Sequence, residues 1–259
     1  MRESQHAKMM EAVYQPKQLY DQIGKHYRWF RRPDARLNSR IQKALRGARS
    51  VVNVGAGTGS YEPRAGVVLA VEPSLTMIAQ RADDAAPVVQ AQANDLPFTA
   101  RSFDAAMAIL TIHHWGNWEQ GLAELQRVSR ERVVILTWDP EAPGFWLVND
   151  YFPEILEIDR AIFPRLGDLE RRLGKLTVTE IPIPYDCTDG FLGAYWRRPY
   201  AYFDPAVRRA ISTFNQISTL DEGLSRLRQD LESGIWFRRY GHLIRETQLD
   251  LGYRLITAG

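Results

Sequence analysis

Three closely spaced glycines in the first half of the sequence can bring the backbone close to a ligand. Residues 51–63 read VVNVGAGTGSYEP, so that Gly55, Gly57 and Gly59 follow a short apolar run. Glycine tolerates a positive φ and adds no side chain, which lets such a loop pass beneath a bound molecule. The dinucleotide fingerprint requires glycine where Ser60 stands, and a P-loop requires a lysine that this segment lacks. The spacing therefore suits an amino-acid moiety better than a pyrophosphate.

A carboxylate follows the next apolar run. Glu72 comes directly after residues 67–71, where a strand of an open α/β sheet would end. A carboxylate at that position can accept hydrogen bonds from both hydroxyls of a ribose and so fix a nucleoside. Nicotinamide enzymes use the same interaction, so Glu72 alone leaves a nicotinamide-dependent oxidoreductase open. The other alternative is an ordinary exposed acid at a strand end.

Two neighbouring histidines are the candidate catalytic residues. His113 and His114 follow the apolar run 104–112, and imidazole is the side chain whose pKa suits proton transfer near neutral pH. The alternative is that the pair only shapes and packs its loop. We expect no metal site, because adjacent side chains diverge and no neighbouring cysteine or carboxylate completes a ligand set.

The elements that must position these residues alternate between strand and helix. Asn117 is placed to cap a helix with an apolar face. This alternation predicts an α/β fold, a doubly wound and mostly parallel sheet with right-handed crossovers. Ligands bind such sheets at the carboxyl ends of the strands. The predicted strands are 50–54, 67–71, 88–91, 104–112, 132–137, 178–183 and 249–257.

Several ordered motifs in residues 50–137 resemble those of a known enzyme family. They read NVGAGTG, AVEPS, ANDLPFTARSFDAAMAILTIHHW and GLAELQRV. In this order they are similar to class I methyltransferases of the ubiquinone/menaquinone-biosynthesis C-methyltransferase type, the methyltransferase type 11 group. The resemblance implies a Rossmann-like, seven-stranded sheet whose last strand is antiparallel. It also implies that the cofactor is S-adenosylmethionine, whose methyl group leaves by in-line displacement.

The resemblance further implies which residues hold the cofactor. The three glycines would lie under its methionine moiety, and Glu72 would bind the ribose. Pro73, Ser74 and Met77 would lie near the adenine. To the same site we assign Asn53, Ala56, Ala93, Asn94 and Leu110.

Two positions depart from the family pattern. Asn53 stands where the family usually has an acid, so it can keep the hydrogen bonds but not the charge. Gln92 replaces a common aspartate, and its carbonyl oxygen can still accept a hydrogen bond from the adenine amino group.

The acceptor pocket is expected near the same strand ends. Its candidate residues are Tyr20, Tyr27, Trp115, Trp138 and Asp139. For the tyrosines the alternative is core packing, and for Asp139-Pro140 it is a plain turn. We divide the chain into an N-terminal helical flap (1–49), a cofactor-binding core (50–140) and a remainder (141–259). Inserted helices at about 187–246 would form a lid.

Composition bears on partners and location. The chain has 259 residues, with 33 Lys plus Arg against 31 Asp plus Glu, and this balance does not demand an acidic partner. Residues 25–49 are nevertheless rich in Lys and Arg and interleaved with aromatic residues, so an RNA methyltransferase stays an alternative to the small-molecule acceptor that we favour. A non-catalytic module that binds S-adenosylmethionine is a third alternative, and the oligomeric state stays open.

The expected location is the cytoplasm. Cys187 is the only cysteine, which indicates a reducing compartment. The first fifteen residues are polar and lack the apolar stretch of a secretory signal. No apolar run approaches the roughly 20 residues needed to span a bilayer, so we expect no membrane association.

Overall fold

The computed structural model describes residues 28–142 and 144–259 in full, together with the backbone of Tyr27. A seven-stranded sheet runs through this part of the chain in the order β3-β2-β1-β4-β5-β9-β6. Strands β1 to β5 are parallel, and β9 runs antiparallel to both β5 and β6. The Rossmann-like sheet with an antiparallel last strand is thereby confirmed. The strands are β1 (Ser50–Val54), β2 (Val67–Val71), β3 (Val88–Val89), β4 (Phe103–Ile109), β5 (Ser129–Trp138), β6 (Leu176–Glu180), β7 (Ile183–Pro184), β8 (Gln248–Leu249) and β9 (Tyr253–Ala258).

Helices cover both faces of the sheet. The helix start predicted at Asn117 is confirmed, because Asn117 Oδ1 accepts from the Gln120 amide, and Ser74 Oγ likewise caps a helix by accepting from the Met77 amide. The helices are α1 (Tyr27–Phe30), α2 (Ala35–Ala44), α3 (Leu75–Ile78), α4 (Trp118–Val128), α5 (Pro153–Ile162), α6 (Leu166–Leu173), α7 (Pro205–Arg209), α8 (Leu220–Glu232) and α9 (Ile235–Tyr240). Short 3-10 turns at Ile112–His114, Leu192–Tyr195 and Ser212–Asn215 complete the parts that matter for the site.

Alternate residues of the central strands point to opposite faces of the sheet and enter two separate cores. Val51 and Met107 join the core that contains Leu37 and Ile41 of α2. On the other face lies a second core, in which Leu122 of α4 packs with other strand residues. Because side chains alternate with a period of two, a strand buried on both faces reads as a continuous apolar run.

The segment between β7 and β8 forms an extension over the carboxyl edge of the sheet, and we call residues 183–249 the cap. Its two ends are joined, because Ile183 and Pro184 pair with Leu249 and Gln248 in a two-stranded antiparallel sheet. The bridge between Arg31 and Asp189 connects the cap to the N-terminal part of the described chain. This arrangement places cap residues next to the ends of β1 and β4.

Several predicted strand limits were wrong, and the backbone explains why. The run 104–112 leaves the sheet at Ile109, because Leu110 has φ +51°, a left-handed conformation that cannot continue a strand. The run 249–257 is split between β8 and β9 at Gly252, where φ is +90°. The run 178–183 likewise divides between β6 and β7.

Two other strands differ from their predicted limits by a few residues. The third strand covers Val88–Val89 instead of 88–91, and the fifth extends over Ser129–Trp138 instead of 132–137.

Within the described residues, no helix is long and apolar enough to cross a bilayer.

Candidate functional site

A cavity of about 500 Å³ opens at the carboxyl ends of β1, β2 and β4. Its size falls in the range of small-molecule and cofactor sites. The structure brings most of the residues assigned to the cofactor, and two others from the predicted site, to its walls. These are Asn53, Gly55, Ala56, Gly57, Glu72, Pro73, Ser74, Met77, Ala93, Asn94, Leu110, His114 and Trp115. Gln92, one of the two family departures, also lines the cavity.

The loop after β1 is tight because the side chain of Thr111 leaves no room for a side chain at Gly55. Gly55 has φ +70° and donates its amide to the Val71 carbonyl at 2.9 Å. A Cβ added at Gly55 would lie 2.1 Å from Thr111 Oγ1. Gly57 also has a positive φ, of +53°. The loop therefore runs closely along the turn after β4.

Glu72 is fixed at the cavity wall by two backbone amides. The Gly57 amide donates to Glu72 Oε2 at 2.8 Å, and the Ser74 amide donates to Oε1 at 2.9 Å. The residue is only 6% exposed. Each carboxylate oxygen can accept more than one hydrogen bond, so this pair of contacts orients the group without using up its capacity. The carboxylate thus joins the glycine loop to the start of α3.

An ion pair behind the glycine loop accounts for the asparagine at position 53. Asn53 Nδ2 donates to Glu62 Oε1 at 3.2 Å. Arg81 binds both oxygens of Glu62, at 2.8 and 2.9 Å, and its Nη1 donates to the Gly57 carbonyl at 3.3 Å. Both charged side chains are almost fully buried. The acid missing from position 53 thus has a counterpart in Glu62, and an acid at both positions would place two carboxylates in contact.

This arrangement predicts that Asn53→Asp destabilises the protein, although an acid is common at this position in the family. The change removes the donor to Glu62 and adds a like charge, so the free energy of unfolding should fall by about 1–3 kcal/mol. Urea unfolding measures it, with Asn149→Asp at an exposed position as the matched control. A variant as stable as the wild type would show that Glu62 does not set the residue at position 53.

The histidine pair follows the strained end of β4. His113 and His114 lie in the 3-10 turn, with ring centroids 3.8 Å apart. Burial, and then the charge of Arg31, lowers the pKa of His114 to about 3, and burial together with His114 and Arg31 lowers the pKa of His113 well below its ordinary value. Both imidazoles are therefore neutral at physiological pH.

His113 and His114 line different cavities. His114 borders the large cavity, whereas His113 borders only a second cavity of about 50 Å³. The His113 ring stacks on Phe163 with centroids 4.0 Å apart, and its Nδ1 is enclosed without a hydrogen-bond partner among the described residues. Arg31, Leu110 and His114 line both cavities. The two cavities are therefore neighbours that share a wall.

The other residues that the sequence assigned to the site do not line the large cavity or are not described by the structure. Trp138 lines the second cavity rather than the first. Asp139 lines neither, and its Oδ1 accepts from the Glu141 amide in the turn that was the alternative. Gly59 does not border the large cavity, because the side on which a Cβ would stand faces Arg81 and Glu62 at 3.3 Å. Tyr20 and the side chain of Tyr27 lie outside the described residues.

A buried network at the cavity was missed from the sequence. Arg31 Nε donates to Asp189 Oδ1 at 2.6 Å, and the Tyr61 hydroxyl donates to Asp189 Oδ2 at 2.8 Å. All three residues line the large cavity. Arg31 had been counted only as one of the basic residues of the N-terminal segment. Its acidic partner lies 158 residues away in the chain, so no local pattern could have joined them.

Comparison with known proteins finds similarity to methyltransferases. The family model of the methyltransferase domain matches residues 52–137. A protein from Anabaena variabilis, described as a candidate methyltransferase from an antibiotic biosynthesis pathway, is 32% identical and has a TM-score of 0.81. The match covers 89% of this chain and 99% of that protein.

Two curated relatives match shorter stretches. The 2-methyl-6-phytyl-1,4-hydroquinone methyltransferase 2 of Oryza sativa is 31% identical over 38% of this chain. The tRNA (carboxymethyluridine(34)-5-O)-methyltransferase of Schizosaccharomyces pombe is 27% identical over 45% of this chain. The matches span 31% of the rice protein and 51% of the yeast protein.

Proposed function

The chain belongs to the class I S-adenosylmethionine-dependent methyltransferases, and we propose that it transfers the methyl group to a small molecule. The observation that carries this proposal is the small second cavity beside the large one. It is covered by cap residues that include Phe191, Leu192 and Thr213. An acceptor group that reaches such a space must be small enough to pass under the cap. We also propose that the cap serves as the lid expected from the sequence.

The large cavity fits the cofactor in three respects. The positive φ values of Gly55 and Gly57 let the backbone approach the methionine moiety, since no side chain intervenes. Glu72 is already oriented by two amides where a ribose would need a bidentate acceptor. Met77, buried in the wall next to Gly57, offers an apolar contact for the adenine. When bound, S-adenosylmethionine supplies an electrophilic methyl group on a sulfonium.

The residues around the shared wall would perform the remaining tasks. Arg31, Leu110 and His114 separate the two cavities, so they would align the acceptor with the methyl group and exclude water. His113 would accept a proton from the acceptor at Nδ1, the enclosed atom that has no partner among the described residues. Its lowered pKa keeps the ring unprotonated at neutral pH, and the same burial makes it a weaker base than an ordinary histidine.

An RNA acceptor is the second candidate, and the matched yeast relative is its best support. The basic residues next to the cavity argue against it. Arg31 is paired with Asp189, and Arg36 is paired with both Asp34 and Asp186. Much of their charge is thus compensated within the protein, whereas binding to a phosphate backbone needs uncompensated cations.

The proposal is tested with S-adenosylmethionine that carries a labelled methyl group. The protein is incubated with a panel of small hydroxylated, aromatic and amine compounds and, separately, with unmodified tRNA. The proposal expects label in at least one small product and none in tRNA. Label in tRNA alone would overturn it and establish the RNA alternative.

The role of His113 gives a prediction of its own. His113→Ala should lower turnover by about 10²- to 10⁴-fold while the affinity for S-adenosylhomocysteine stays unchanged, because His113 does not line the large cavity. Since its pKa is lowered, wild-type turnover should not fall off near pH 6.5, where an ordinary histidine base would become protonated. Wild-type turnover in the variant would show that His113 has only a packing role.

A further inference from the structure

A buried carboxyl group lies in the wall of the second cavity. Asp159, on α5, is 2% exposed and lines this cavity. Its Oδ1 accepts from Thr213 Oγ1 at 3.1 Å, and among the described residues no Lys, Arg or His forms an ion pair with it. Burial raises the pKa of this carboxyl to about 8. An ionisable group enclosed without a counter-charge is costly for the fold and marks a candidate for function.

Four aromatic side chains also line the cavity. Trp138 and Phe163 meet edge to face with centroids 5.7 Å apart, and Phe191 and Tyr253 lie with centroids 4.6 Å apart. Ring faces attract organic cations, and the carboxyl supplies the opposite charge once it has lost its proton. Aromatic rings and one enclosed carboxyl therefore match the chemistry of an ammonium group better than that of an anion or a neutral ring.

Asp159 is the acid among the described residues that line the cavity, and the other charged or titratable groups there are Arg31, the two histidines and Tyr253. The guanidinium of Arg31 is paired with Asp189. Burial lowers the pKa of His113 and His114, so both are neutral. The pKa of Tyr253 is raised by burial, and its hydroxyl accepts from the Gly193 amide at 3.1 Å. An entering ammonium would therefore form its ion pair with Asp159.

We propose that the second cavity binds the amino group of an amine acceptor, with Asp159 as its counter-ion and the aromatic rings as its cation contacts. This inference rests on the proposed function, because it takes the second cavity to be the acceptor end of the site. The volume of about 50 Å³ is well below the roughly 150 Å³ that holds a benzene ring. The amino group would enter this space, and the rest of the acceptor would extend toward the shared wall.

The test compares a small amine with its neutral analogue. Propylammonium and 1-propanol are titrated into wild-type protein saturated with S-adenosylhomocysteine, and binding is followed by NMR of the Asp159 carboxyl carbon. Propylammonium should bind and lower the pKa of Asp159, because a nearby cation favours the carboxylate. 1-Propanol should bind at least about tenfold more weakly. Equal binding of the two compounds, or no change in the pKa, would overturn the proposal.

Variants separate binding by Asp159 from a merely structural role. Asp159→Asn should weaken propylammonium binding about tenfold or more. Glu157→Gln, an exposed acid on the same helix, should leave it unchanged, and Thr213→Val should retain it because the carboxyl remains. Unchanged amine binding in Asp159→Asn would overturn the assignment. If Asp159→Asn does not fold, the titration of the wild-type protein with propylammonium and 1-propanol still shows whether the second cavity binds an ammonium group.

The same samples distinguish this inference from the proposed function. Retained binding of S-adenosylhomocysteine without amine binding would overturn only the amine site. Amine binding in a protein that does not bind S-adenosylhomocysteine would instead contradict the proposed function.

Discussion

Glu72→Ala should weaken binding of S-adenosylmethionine by about 1.5–3 kcal/mol, the range for a hydrogen bond to a charged group, which is about ten- to hundredfold in affinity. The change removes the expected acceptor for the ribose hydroxyls. It also leaves the amides of Gly57 and Ser74 without the oxygens that they now contact. Isothermal titration calorimetry measures the effect directly.

An isosteric variant shows why the charge matters as well as the shape. Glu72→Gln would place an NH₂ group against one of the two backbone amides, a donor facing a donor. We therefore expect it to weaken binding too. Asp84→Asn, at an exposed position outside the cavity, is the control. Wild-type affinity in both Glu72 variants would remove this residue from the cofactor site.

Gly55→Ala should have the largest effect on stability. Two costs add at this position. A non-glycine residue at φ +70° is strained by about 1–3 kcal/mol, and the new Cβ would lie 2.1 Å from Thr111 Oγ1, an overlap that costs about 1–3 kcal/mol more. We expect a loss of about 2–6 kcal/mol in the free energy of unfolding, with loss of cofactor binding because the loop must move.

Gly47→Ala isolates the backbone contribution. Gly47 has φ +93°, but a Cβ there would meet nothing within 4 Å, so only the conformational cost of about 1–2 kcal/mol applies. Chemical unfolding of both variants gives the comparison. If Gly55→Ala costs no more than Gly47→Ala, the close approach to Thr111 is not a constraint on the loop.

The core of the fold could be predicted because its local signals agree with its tertiary structure. Strands buried on both faces read as continuous apolar runs, and Ser74 and Asn117 mark helix starts by side-chain chemistry alone. The motif order then implied the antiparallel last strand. Strand ends were less accurate, since conformations such as that of Leu110 arise from packing and have no signal in residue type.

The second cavity could not be predicted in the same way. Asp159 stands between Ile158 and Arg160 in the sequence PEILEIDRAI, and an acid next to a basic residue is typical of an exposed helix face. The 3-10 turn Ser212–Asn215, distant in the chain, packs against α5 and contacts Asp159 through Thr213. The contact between Arg31 and Asp189 likewise depends on the cap folding back over the sheet. Such contacts join residues that are far apart in the chain and meet only once the whole fold has formed. No local pattern in the sequence therefore indicates them.

The most direct test of the central claim is a calorimetric titration of the purified protein with S-adenosylmethionine, S-adenosylhomocysteine and NAD. We predict saturable binding of the first two and none of NAD, since the glycine spacing suits an amino-acid moiety and Ser60 stands where the dinucleotide fingerprint requires glycine. Binding of NAD, with no binding of S-adenosylmethionine or S-adenosylhomocysteine, would contradict the assignment of the cavity and of the enzyme.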